Sequence, residues 1–189
     1  GLMIHARMFE SKAREREMLA LSMPAVRSDD LLLLDRGFPS YWLLAWLIER
    51  GQHFCIRLRD GVAGMGQFEP FFRSGQQEAI VEAVVPAPAA RKAAAQGIEI
   101  SQHRFSVRLI RVALANGEQE FLATSLLDAN ACPASEFSDL YHRRWRIEEC
   151  FKVLKCRLAV EHFSGELPDT IRQDFNAKIW LSNLVATFA

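Results

Sequence analysis

The chain has 189 residues, half of them apolar, and its 23 basic side chains equal its 23 acidic ones. That is ample for a packed core in one domain or one and a half, while the zero net charge withholds the overall basic signature of a nucleic-acid binder. Nothing reads as a leader or a membrane span, and Cys55, Cys132, Cys150 and Cys156 have no metal-ligand spacing, so they read as reduced thiols of a cytosolic protein.

Residues 2–9 read as a strand, and Ser11 is placed to cap a helix that runs from Ala13 until Pro24 ends it. Leu31 to Leu34 is an unbroken apolar run closed by Asp35, the pattern of a central strand in an α/β sheet. Arg36-Gly37-Phe38-Pro39 is a turn, 41–50 is a helix closed by Gly51, and 53–59 is the next strand. The texture then changes. Residues 61–75 are rich in Gly and Phe, 79–85 are β-branched, Pro86 and Pro88 break that run, and a helical turn or two falls within 91–97. Two alternating segments, 105–113 and 120–127, flank Asn116-Gly117, a strong hairpin signal. We therefore read 1–60 as the first part of an α/β core, 61–127 as a mostly antiparallel β-rich insertion, and 128–189 as the return to the core. Pro133 and Ser135 introduce one helix, and Pro168 with Thr170 and Gln173 opens the last. Both ends of the chain look cut.

The segment from Tyr141 to Leu158 is the most informative. Wound at roughly 100° per residue, it places Tyr141, Arg144, Glu148 and Lys155 within an arc of roughly 60°, with Trp145 and Lys152 beside them. Leu140, Ile147, Phe151, Leu154 and Leu158 form a separate apolar stripe, expected to face the core. Six cations (Arg143, Arg144, Arg146, Lys152, Lys155 and Arg157) stand against Glu148 and Glu149. Such a local strip can grip phosphates even in a neutral chain, because screening confines the attraction to about 10 Å.

A strand-end Asp35 and a helical Glu148 are hard oxygen donors suited to Mg²⁺ or Mn²⁺, a pair of which can activate a hydroxyl and stabilise the leaving oxygen in phosphodiester cleavage or transfer. Arg144 and Lys155 would then hold DNA phosphates, and Tyr141 could donate to a phosphate or stack on a base. Taken singly, each residue has a plainer role. Asp35 can be a turn former, Arg144 and Glu148 a surface pair worth a few tenths of a kcal/mol, and Tyr141 and Trp145 packing residues.

The joint pattern Tyr-x2-Arg-x3-Glu-x6-Lys, met by Tyr141, Arg144, Glu148 and Lys155, resembles the YREK signature of a large family of insertion-sequence transposases with an RNase H-like DDE catalytic core. Leu34-Asp35-Arg36-Gly37-Phe38 is similar to the block around that family's second catalytic aspartate, and 61–127 resembles its β-rich insertion before the glutamate helix. The resemblance implies that Asp35 and Glu148 are catalytic metal ligands, that Tyr141, Arg144 and Lys155, flanked by Trp145 and Lys152, contact transposon-end DNA, and that a two-metal Mg²⁺ or Mn²⁺ site performs cut-and-paste transposition. It also implies a homodimer on paired DNA ends, transposon ends and target DNA as partners, no membrane, and a bacterial, nucleoid-associated location in the cytoplasm.

The pattern departs from the family at its first aspartate. No Asp precedes Asp29, Asp29 and Asp30 enter the Asp35 strand at its far end, roughly 15–20 Å from the site, and Asp60 does not match the first-aspartate block. The expectation is a fragment that neither cleaves nor joins DNA alone. A truncated or domesticated DNA-binding protein without catalysis is the competing function, with an unrelated RNase H-like nuclease and a plain α/β domain behind it.

Overall fold

The computed structural model describes residues 2–3, 5–9, 15–59, 65–114 and 116–188. The chain forms two compact units, one of residues 11–142 and one joining 1–10 to 143–189.

The first unit runs α1 (Glu15–Ser22), β1 (Leu31–Leu34), α2 (Tyr41–Glu49), β2 (His53–Leu58), α3 (Glu69–Ser74), β3 (Glu78–Val84), α4 (Ala87–Ala94), β4 (Arg104–Ala113), β5 (Gln119–Thr124) and α5 (Phe137–His142). Its strands make one sheet in the order β1-β2-β5-β4-β3. Leu31 to Leu34 pair in parallel with His53 to Ile56, and the other three ladders are antiparallel. The fold is thus mixed α/β. The strands of the β-rich segment extend the same sheet as β1 and β2.

Side chains that alternate along the strands divide the core between the two faces of the sheet. Phe54, Ile56 and Leu58 of β2 and Phe105, Val107 and Leu109 of β4 join the helix α2 residues Trp42, Leu43 and Leu47 in one cluster. Cys55, Ile110, Val112 and Leu122 meet Phe137 and Tyr141 of α5 in the other. Helix α2 begins where the sequence places it, with the Ser40 hydroxyl accepting from Leu43 N at 3.3 Å. Helix α4 starts earlier than expected because Pro88 falls in its first turn, where a missing N–H costs nothing, and helix α3 uses Pro70 in the same way. At the outer edge of β3 the Gln67 amide donates to Val84 O at 2.8 Å and accepts from Val84 N at 2.9 Å, itself held by a hydrogen bond from Gln67 N to the Tyr41 hydroxyl.

The second unit contains α6 (Trp145–Lys152), a π-helical turn at Val153–Arg157 and α7 (Pro168–Phe188). The single helix expected from Tyr141 to Leu158 is therefore three pieces. Bonds from Arg146 N to Arg143 O and from Ile147 N to Arg144 O tighten the chain to i→i+3 spacing after His142, and Leu158 N reaching back to Val153 O widens it to i→i+5. A constant 100° step consequently fails at both joints. Of the expected apolar stripe, Leu154 is buried, whereas Ile147 and Phe151 are about half exposed, at 53% and 52%. Described residues within 2–9 form no strand; the Met3 backbone instead donates to and accepts from the Asn183 amide, both at 2.7 Å. Helix α7 also fixes the connection before it. Asp174 accepts from Ser164 N at 2.6 Å, and Lys178 donates to Ala159 O at 2.8 Å and to His162 O.

Candidate functional site

Asp35 follows the last residue of β1 and is partly exposed. Its Oδ1 accepts from Arg36 N at 2.7 Å, and its carbonyl accepts from Phe38 N at 3.0 Å, closing a turn. The turn is held from outside by a residue that carries no motif or spacing signal of its own. Arg16 of α1 donates through Nε to Phe38 O at 2.8 Å and through Nη2 to Gly37 O at 3.0 Å and Pro39 O at 2.9 Å. Burial pushes the Arg16 guanidinium below its ordinary pKa, with Glu15 opposing that shift.

Tyr141 does not present its phenol to solvent. It is 3% exposed within the cluster formed on α5, and its hydroxyl donates to Leu34 O at 3.2 Å, one residue before Asp35. Helix α5 is in turn secured by Arg108 of β4. That side chain is 1% exposed; it bonds Glu78, the carbonyl of Leu126 at 3.3 Å and that of Cys132 at 2.7 Å, and lies 5.4 Å from the Phe137 ring centroid.

A cavity of about 140 Å³ adjoins the same turn, lined by Glu15, Arg16, Gly37, Trp42, Lys92 and Gln96. Trp42 Nε1 and Gln96 Oε1 are buried there without a hydrogen-bond partner among the described residues.

In the second unit, Arg144 and Glu148 form the ion pair that their spacing allows, with Nη2 to Oε1 at 2.8 Å. The Arg144 guanidinium also lies 5.6 Å from the Trp145 ring centroid, and Trp145 is half exposed. Lys152 pairs with Glu149 at 2.6 Å, which raises the pKa of the lysine. Lys155 pairs with Glu161 at 2.8 Å, and the contact raises the lysine pKa and lowers that of the carboxylate. Glu161 lies beyond the expected helix, and only the chain reversal at Ala159, with φ of 46°, brings it back to Lys155. Arg143, Arg146 and Arg157 are exposed and make no ion pair among the described residues, so they are the open cations of this segment.

Asp35 and Glu148 belong to different units. Both side chains keep a carboxylate oxygen outside the contacts given above, and carboxylate oxygens are the donors that Mg²⁺ and Mn²⁺ prefer. No group of three His, Cys, Asp or Glu side chains able to hold a metal occurs among the described residues, and Asp60 lies outside them. No described helix is long and apolar enough to cross a membrane.

Comparison with known proteins gives two findings. A family model described as "Transposase DDE domain" matches residues 1–184. The chain is also 28% identical over 178 residues to "Transposase InsG for insertion sequence element IS4" of Escherichia coli (strain K12); the match covers 92% of this chain and 38% of that protein.

Proposed function

This chain belongs to the transposase DDE domain family, and on that premise we propose that it is part of the catalytic domain of an insertion-sequence DNA transposase. The observation that carries the reading is Asp35 at the partly exposed end of β1, together with Glu148 in a segment of closely spaced cations. In this reading the sheet is the incomplete RNase H-like core with its β-rich insertion before the glutamate helix, and Tyr141, Arg144, Glu148 and Lys155 are the YREK residues.

Asp35 and Glu148 are the side chains assigned to hold Mg²⁺ or Mn²⁺. Held by these two carboxylates, the ions would supply Lewis-acid activation of a water or 3′-hydroxyl and charge stabilisation at the departing oxygen. Arg144 and Lys155 hold DNA phosphates, with Trp145 and Lys152 beside them and Arg143, Arg146 and Arg157 adding to the cationic surface. Arg144 meets a phosphate with a two-pronged contact, and its existing bond to Glu148 keeps the guanidinium oriented beforehand. Partners in the complete protein are transposon ends, target DNA and a second copy of the enzyme, in the bacterial cytoplasm at the nucleoid. Two carboxylates hold a metal pair less well than three, so the 189-residue chain alone is expected not to cut or join DNA.

Titration with Mn²⁺, followed by calorimetry and thermal unfolding, tests the assignment. Stabilisation by millimolar-range Mn²⁺ that disappears in Asp35→Asn and in Glu148→Gln supports it. DNA binding with no Mn²⁺ response that either substitution removes would favour the alternative, a DNA-binding protein without catalysis.

A further inference from the structure

We propose that Tyr141 and Arg16 are positioning residues that fix Asp35 from its two sides, so that the tyrosine of the signature acts on the catalytic carboxylate. The inference rests on the assignment of Asp35 above. Its geometry lies wholly within the unit of residues 11–142.

Four observations converge on one short stretch of backbone. The Tyr141 hydroxyl takes the carbonyl of Leu34, immediately before Asp35. The Arg16 guanidinium takes the carbonyls of Gly37, Phe38 and Pro39, immediately after it. Between these holds, Phe38 N closes onto Asp35 O and Arg36 N onto Asp35 Oδ1. Finally, Tyr141 is 3% exposed, which denies its ring and hydroxyl to a nucleotide in this conformation.

The physical need is plain. β1 is only four residues long and, among the described residues, pairs through β2 alone. A short strand paired on one side frays readily, and fraying would move the carboxylate that follows it. A phenol supplies one donor on a rigid ring and can pin one carbonyl. A guanidinium presents several N–H groups in a fixed fork and can gather three. Groups that orient a metal-binding carboxylate in this way govern affinity without touching the ion.

Two conservative substitutions test the proposal in the 189-residue chain. Tyr141→Phe keeps the ring, and Arg16→Lys keeps the charge while losing the fork. Amide exchange at Arg36 and Phe38, Mn²⁺ affinity by calorimetry, and affinity for a mixed-sequence DNA duplex are measured well below the unfolding transition of each variant. We expect faster exchange at Arg36 and Phe38, Mn²⁺ affinity lower by about 10-fold, and unchanged DNA affinity. A group that only stabilised the fold would lower the melting temperature and leave Mn²⁺ affinity alone. Exchange unchanged in both variants overturns the proposal, as does Tyr141→Phe weakening DNA binding while Mn²⁺ affinity holds. If the unmodified chain shows no Mn²⁺ binding that Asp35→Asn removes, the metal assignment fails on its own account, and the exchange rates still decide whether Tyr141 and Arg16 hold the turn.

Discussion

Arg108 of β4 and Glu78 of β3 form an asymmetric pair: the guanidinium is 1% exposed and the carboxylate 36%, with Nε to Oε2 at 2.7 Å. The asymmetry predicts unequal costs. Glu78→Ala strands a buried cation and is expected to cost about 4 kcal/mol. Arg108→Met leaves a carboxylate that water can reach and two carbonyls short of a donor, for about 2 kcal/mol. Urea unfolding followed by tryptophan fluorescence gives the order, and equal losses would contradict it.

Removing either candidate phosphate contact should alter the salt dependence of DNA binding. Arg144→Ala and Lys155→Ala are each expected to flatten the slope of log K against log salt by about one unit, across all sequences. Unchanged slopes in both variants, measured by fluorescence anisotropy, would remove them from the contact surface.

Glu161 competes with DNA for Lys155. Glu161→Gln frees the ammonium, and because exposed pairs contribute little, DNA affinity at low salt should rise only about 2- to 3-fold. The same substitution in a Lys155→Ala background should do nothing, since the competitor then has no cation to occupy.

The four thiols should separate kinetically. Burial pushes the Cys55 thiol up to about 12, with the Glu120 carboxylate adding to the shift, whereas Cys156 is exposed. At pH 8 a disulfide reagent is therefore expected to label Cys156 quickly and Cys55 only on unfolding. The raised value favours the protonated thiol in the folded chain. Its contribution to stability is complete below the unfolded thiol value of about 8.5 and declines as pH rises from there towards 12.

Acid should release the connection that α7 holds. The hydrogen bond from Ser164 N lowers the Asp174 pKa, and the contact with Lys155 lowers that of Glu161. A lowered carboxylate stabilises the fold above its unfolded value of about 4, and the contribution is lost as pH falls through the folded value. Exchange protection of the Ser164 amide should hold at pH 5 and be lost only as pH falls below the ordinary carboxylate value, through the lowered value of Asp174. Protection that survives further acidification would show that the bond does not need the charge.

The elements that were legible in the sequence are those that local chemistry specifies completely. Leu31 to Leu34 cannot be exposed cheaply, Ser40 caps the helix after it, and Asn116-Gly117 accepts the positive φ of 82° at Gly117 that the hairpin requires. What escaped was set by tertiary partners. Neither Arg143 nor Arg144 carries a helix-breaking signal, yet backbone spacing shortens there and lengthens after Val153, so a uniform helical wheel misplaces the faces. Tyr141 was visible as one of four signature residues, but its direction was not, because Leu34 lies 107 positions away. Arg16 was invisible for the same reason: its three acceptors are main-chain carbonyls, which leave no trace in residue identity.

The Gln67 amide against Val84 has a consequence for the colloidal behaviour of the chain. An outer strand whose N–H and C=O groups face water is a template on which a second molecule can lay its own backbone. Ile80 and Val84 on β3, 58% and 41% exposed, would make such stacking adhesive. By occupying both groups of Val84, one primary amide takes the place of a neighbour at the last residue of that strand. A copy of this chain approaching that end of β3 finds both groups already taken.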